Sequence, residues 1–143
     1  MLVLPMVPPI FFLSLLIIGT AGMLVIHLLT NRLHRRRLIA LAREWRMHYA
    51  PDDRFDLAAR VAKKMPIPGA ADVRIVDLIY GSEHGTRRYV FCAHYTRGVV
   101  RWKRREKCVA SLTESKENWS SLEVAPGELS VVEQYRKVGN ANT

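Results

Sequence analysis

Charge is missing from the first thirty residues of this chain: Met1–Thr30 contains no Asp, Glu, Lys or Arg. A run that long matches the ~20 apolar residues a helix needs to cross a bilayer core. The chain therefore reads first as a membrane protein. Cysteine is scarce, and Cys92 and Cys108 suit a reducing compartment and supply no disulfide framework. Also missing are a nucleophile elbow, a phosphate loop, a dinucleotide-binding glycine motif and a metalloprotease helix. Gly81–Gly85 reads as a turn, not a phosphate cradle. No internal repeat is present, and no cofactor or small-molecule substrate is implied.

The N-terminal segment also lacks the marks of a cleaved signal peptide, which has a basic start and an apolar core of ~7–15 residues. Here no Lys or Arg precedes the apolar stretch, which is about twice too long for such a peptide. Ala21-Gly22-Met23 is a poor cleavage site, because hydrophobic chain continues beyond it. An uncleaved anchor is the expectation: a short extracytoplasmic segment at 1–8, then a spanning helix at 9–30. Proline is tolerated in a first helical turn, so Pro8-Pro9 can open it. The helix would be about 33 Å long at 1.5 Å per residue. Gly19 and Gly22 lack the four-residue spacing of close helix dimers. His27, near the basic end, reads as interfacial.

Four arginines follow at once, Arg32, Arg35, Arg36 and Arg37, with Arg43 a little further on. Lys and Arg accumulate on the cytoplasmic flank of a span. The expected topology is N-terminus out, with residues 31–143 at the cytoplasmic side of the membrane. Residues 31–45 read as a basic helical stem, whose arginines set orientation and meet anionic lipid.

The formal net charge of +9 is unevenly distributed. Residues 31–46 carry +5 and residues 87–107 carry +7, while the remaining charged stretches are slightly acidic. Topology accounts for the first cluster; the second is too far along the chain for that explanation.

Residues 46–138 suffice for one small α+β domain, followed by a frayed tail at 139–143. Arg46–Ala50 reads as a short strand ending at Pro51. Asp52 and Asp53 cap a helix over Phe55–Met65, ended by Pro66-Ile-Pro-Gly69. A meander follows, with strands at Asp72–Tyr80, Thr86–Thr96 and Val99–Leu112 and a tight turn at Arg97-Gly98. A short strand at Leu122–Val124 and a terminal helix at Glu128–Val138 complete the expected fold, a helix packed on an antiparallel meander.

With a two-residue turn at 97–98, Tyr95 lies opposite Val100, Ala93 opposite Trp102 and Phe91 opposite Arg104. Alternate side chains share a face, so Phe91, Ala93, Tyr95, Val100 and Trp102 make an apolar face. Cys92, His94, Arg101, Lys103 and Arg105 make the other. The candidate binding face is Arg87, Arg88, Arg101, Lys103 and Arg105, suited to phosphates or anionic headgroups. The plainer reading is a solvated strand face whose charge suppresses aggregation.

No catalytic residue and no metal site is assigned. Cys92 and His94 share a face, but a zinc site needs more ligands. In this register Cys108 falls opposite Arg87, roughly 16 Å from Cys92. Asp52, Asp53 and Asp56 are explained by helix capping. Asn118-Trp-Ser120 matches a glycosylation acceptor, but the expected topology puts it on the wrong side.

Trp45-Arg-Met-His-Tyr49, Asp52-Asp-Arg-Phe55, Gly81 and Phe91-Cys-Ala-His-Tyr95 resemble a loose pattern of uncharacterised small bacterial single-span membrane proteins. The resemblance covers roughly residues 40–112 and implies a bacterial inner-membrane setting. It brings no activity and no catalytic residue with it.

The expected function is non-enzymatic: a membrane-tethered interaction module whose basic strands engage anionic lipid, a protein or, less strongly, nucleic acid. The alternative is an accessory subunit of a larger membrane complex, its basic charge incidental. More remote is an enzyme using Cys92 and His94.

Overall fold

The structure is a computed structural model describing residues 8–99, 101–117, 119–127 and 129–140. The expected segment 1–8 lies outside these residues except for Pro8, as do Val100, Asn118, Glu128 and the tail 141–143. Two compact units are present, Met1–Arg36 and Arg37–Thr143. One unbroken helix, α1 (Pro9–Glu44), contributes to both.

In the first unit, the side chains of α1 from Ile10 to Leu29 are exposed on every side. This helix is long and apolar enough to cross a membrane. Its few hydroxyls are satisfied within the helix: Ser14 Oγ donates to the Ile10 carbonyl at 2.8 Å, and Thr20 and Thr30 bond back to carbonyls three and four residues earlier. Such back-bonding leaves none of these hydroxyls needing water.

The second unit is α+β, with helices packed on a five-stranded antiparallel sheet. Its strands lie in sequence order: β1 (His48–Asp52), β2 (Ala70–Glu83), β3 (Thr86–Arg97), β4 (Arg104–Ser115) and β5 (Ser120–Val124). α1 enters this unit through Leu38, Leu41 and Ala42, which are buried. The end of the stem is therefore core. A reciprocal cap closes the helix: Met47 N–H donates to the Ala42 carbonyl and Arg46 N–H to that of Arg43. Arg46 takes the left-handed conformation, φ 56°, where glycine is usual. With Arg46 and Met47 spent on this cap, β1 starts two residues later than the sequence suggests.

α2 (Leu57–Lys64) also begins late. Asp53 accepts from the N–H groups of Phe55, Leu57 and Ala58 at 2.9–3.1 Å, which satisfies the free donors of a first turn. α3 (Val131–Asn140) starts at a capping box. Ser130 N–H donates to Glu133 Oε2 at 3.1 Å, and Glu133 N–H donates to Ser130 Oγ. The helix absorbs Gly139 and Asn140, which the sequence assigns to a frayed tail.

β2 is longer than expected at both ends, pairing with β3 from Ala70 opposite Arg97 to Glu83 opposite Thr86, and it carries two bulges, where its register against β3 slips by one residue. Asp72 and Asp77 sit at these slips with φ near 50°, a conformation Asp tolerates better than most residues. The Asp77 bulge directs its carbonyl to the Tyr135 hydroxyl (2.7 Å) and its carboxylate to the Tyr49 hydroxyl (2.6 Å).

Both faces of the sheet are covered. On one, Ile79, Val90, Cys92 and Val109 pack with Leu38, Leu41 and Ala42 of α1 and Tyr135 and Val138 of α3. On the other, Ile75, Leu78, Phe91, Ala93, Ala110 and Leu112 pack with Leu57 and Val61 of α2. This corrects the expectation of one apolar and one basic face. The run Tyr89-Val-Phe-Cys-Ala93 is apolar at every position, the pattern of a central strand buried on both sides.

Candidate functional site

The register of β3 against β4 decides where the basic residues fall. Phe91 pairs with Ala110, Ala93 with Cys108, Tyr95 with Glu106 and Arg97 with Arg104. The expected tight turn at 97–98 is instead a six-residue connection, 98–103, and the strand expected at Val99 begins at Arg104. The slip is six residues, an even number, so Phe91, Ala93 and Tyr95 keep the common face predicted for them. Trp102 does not join them. It is 81% exposed.

The four arginines and one lysine proposed as one face are split between the two ends of the sheet. Arg87 and Arg88 lie next to the His84–Gly85 turn, adjacent in sequence and so on opposite faces. Arg101 and Lys103 lie in the 98–103 connection and Arg105 at the start of β4. Nine residues of β3 separate Arg88 from Arg97, about 30 Å of strand.

At the His84–Gly85 end the arginines have structural neighbours. Arg87 is exposed and stands opposite Glu114, which itself pairs with Arg60 of α2. Arg88 is half-buried; its Nη2 donates to the Val138 carbonyl at 3.5 Å, and its buried Nε finds no partner among the described residues. It lines a cavity of about 370 Å³ with Trp45, Arg46, Ser82, Glu83 and Asn140. Burial lowers its affinity for the proton, offset by the Glu123 and Glu83 carboxylates.

The other end gathers more positive charge than the sequence alone suggests. Arg74 of β2 pairs with His94 of β3, and His94 with Lys107 of β4, so three basic side chains form a row across the sheet. Arg105, two residues before Lys107, shares that face, and a cavity of about 270 Å³ lies among Asp72, Arg74, His94 and Arg105. His94 is held below the usual histidine range by partial burial, then by Lys107, with Arg74 and Arg105 adding to the effect and Asp77 opposing it. Beyond the row, Arg97, Arg101, Lys103, Arg104 and Arg105 are all exposed. The only nearby carboxylate on β4, Glu106, accepts from the Tyr95 hydroxyl at 3.1 Å and lies 4.0 Å from Arg97. Arg74, Arg97, Arg104 and Lys107 are additions to the sequence-derived set. The signal for Arg97 and Arg104 was the stretch Arg97–Arg105, which has five basic residues and no acid; Arg74 and Lys107 join only through the strand pairing.

In the stem, Arg32, Arg35, Arg36, Arg37 and Arg43 are exposed along α1.

The corrected register also moves Cys108. It stands opposite Ala93, while Cys92 stands opposite Val109, so the thiols point to opposite faces of the sheet. Burial pushes both up to about 11, which keeps them protonated at neutral pH and poorly nucleophilic. Among the described residues, no three His, Cys, Asp or Glu side chains gather where one metal ion could sit.

Compared with known proteins, the chain matches no family model, no curated protein and no solved structure.

Proposed function

We propose that this chain is a membrane-tethered, non-catalytic interaction module. Residues 9–30 span a bacterial inner membrane with the N-terminus out, and the α+β unit lies at the cytoplasmic face, where its basic end engages an anionic partner. The observation that carries this reading is the composition of one end of the sheet. Arg97, Arg101, Lys103, Arg104 and Arg105 are exposed, and Arg74 and Lys107 flank them across the strands. Exposed charge that does not fold the protein is free to meet a partner. The arginines of the stem follow from topology and add to the same attraction.

Each basic residue close to an anionic surface contributes about 1 kcal/mol. Substituting Arg101, Lys103 and Arg105 by Gln should therefore weaken retention of the detergent-solubilised full chain on an anionic-lipid surface by about 3 kcal/mol, on the order of a hundredfold. The wild-type interaction should also fall steeply with added salt. Equal retention of wild type and triple variant would remove the basic end from the function. Release of the native chain from membranes by alkaline carbonate would remove the tether.

A further inference from the structure

We propose that the β3–β4 turn is a membrane-insertion element, which seats Trp102 and Val99 in the headgroup boundary of an anionic bilayer while the surrounding arginines hold lipid phosphates. This rests on the tethered-module reading and names its partner as a lipid surface.

Trp102 is 81% exposed and Val99 77%, against 50% for Trp119 and 39% for Phe55. They are the most exposed large apolar side chains of the α+β unit among the described residues. The turn that presents them is built. Trp102 N–H donates to the Val99 carbonyl at 2.7 Å, closing a four-residue turn. Gly98 precedes it at φ 127°, and a Cβ there would come within 2.3 Å of the Trp102 carbonyl oxygen. Only glycine fits that close approach. Apolar side chains on a fixed turn are therefore held out in solvent, with a cation on nearly every neighbouring position.

Which partner rewards both features separates the candidates. A nucleic acid could stack a base on Trp102 and pair phosphates with the arginines, but it gains nothing from a protruding Val99. The bilayer boundary rewards all three: tryptophan prefers the headgroup level, an aliphatic side chain reaches the acyl edge, and arginine binds lipid phosphates in forked pairs.

The test uses the full chain in lipid nanodiscs, either neutral phosphatidylcholine or the same lipid with phosphatidylglycerol, with and without brominated acyl chains. Subtracting the fluorescence of Trp102→Phe from that of wild type isolates Trp102 from Trp45 and Trp119. The expected result in anionic discs is a blue-shifted Trp102 component that loses intensity to brominated lipid, and in neutral discs a solvent-like one. Replacing Arg101, Lys103 and Arg104 by Gln, with Trp102 kept, should abolish the blue shift in anionic discs. A solvent-like, unquenched Trp102 in both discs would overturn the insertion and leave the tether intact. A blue shift appearing only when an oligonucleotide is added, or only with two copies per disc, would overturn it in favour of nucleic acid or of self-association. Failure of the chain to enter discs at all would overturn the tether and this inference together.

Discussion

Arg88, at the His84–Gly85 end of the sheet, lies half-buried and donates to the last turn of α3. At the opposite end Arg101, Lys103 and Arg104 stand in solvent beside an equally exposed Trp102. Residue type is the same, but the physical role differs. A guanidinium brought into partial burial contributes packing through its stem and hydrogen bonds through its fork, so it belongs to the fold. Cations clustered around a turn repel one another and contribute little to folding. Runs of charge in a sequence do not separate these roles; burial does.

The sharpest way to test the contrast is to truncate one aromatic from each category. Tyr135 is fully buried and its hydroxyl is satisfied by Asp77, so Tyr135→Ala should lower unfolding stability by about 3–5 kcal/mol. Trp102→Ala should stay within about 0.5 kcal/mol. Denaturant unfolding of the full chain, followed by circular dichroism, reads both; similar losses would erase the distinction. Next come two glycines, one at each end. A Cβ on Gly139 would meet the Trp45 ring at 2.2 Å, and Gly139→Ala should cost about 1–3 kcal/mol. Gly98→Ala should cost a comparable ~1–3 kcal/mol, which would show the exposed turn to be as definite a structure as the core contact. A neutral Gly98→Ala would instead mean that the turn has no fixed form.

Arg88 and Arg87 then make a neighbouring pair with opposite expectations. Arg88→Met loses the bond to the Val138 carbonyl and should cost about 1 kcal/mol, whereas the same change at exposed Arg87 should stay within about 0.5 kcal/mol. The reverse order would place the structural arginine on the wrong face. The smallest effect is one of pH. His94 binds its proton less readily in the folded chain than in the unfolded one, because partial burial, and after it Lys107 with Arg74 and Arg105, disfavours the charged ring. The unfolded state therefore takes up the proton first as pH falls, and stability declines below the usual histidine value of about 6.5. His94→Gln should flatten that part of a stability-against-pH curve, and an unchanged slope would deny the row its electrostatic coupling.

Much of the organisation was legible in the residues. The apolar run announces α1, Asp53 announces the start of α2, and strands rich in β-branched and aromatic residues, separated by turns, announce the meander. Three features escaped, each for a physical reason. Arg46 caps α1 in a conformation usually filled by glycine, so no residue type marks the stop. Asp72 and Asp77 make bulges, and aspartate in a strand reads only as polarity. The connection at 98–103 was hidden because Val99 and Trp102 have the composition of strand residues. With the two-residue turn, Phe91 would have faced Arg104; core packing instead pairs it with Ala110, and the intervening residues are extruded as a longer turn.

By itself, the sequence determined that the chain begins with a helix long and apolar enough to span a bilayer, since length and the absence of charge are local properties. It also determined that positive charge collects in two segments. Only the tertiary structure decided which of those charges fold the protein and which face outward, because strand register depends on contacts between residues distant in the chain. That register divided Arg87 and Arg88 from Arg101, Lys103 and Arg105, and added Arg74 and Lys107 to the latter. It also turned Trp102 from an expected core residue into the most exposed aromatic of the α+β unit among the described residues.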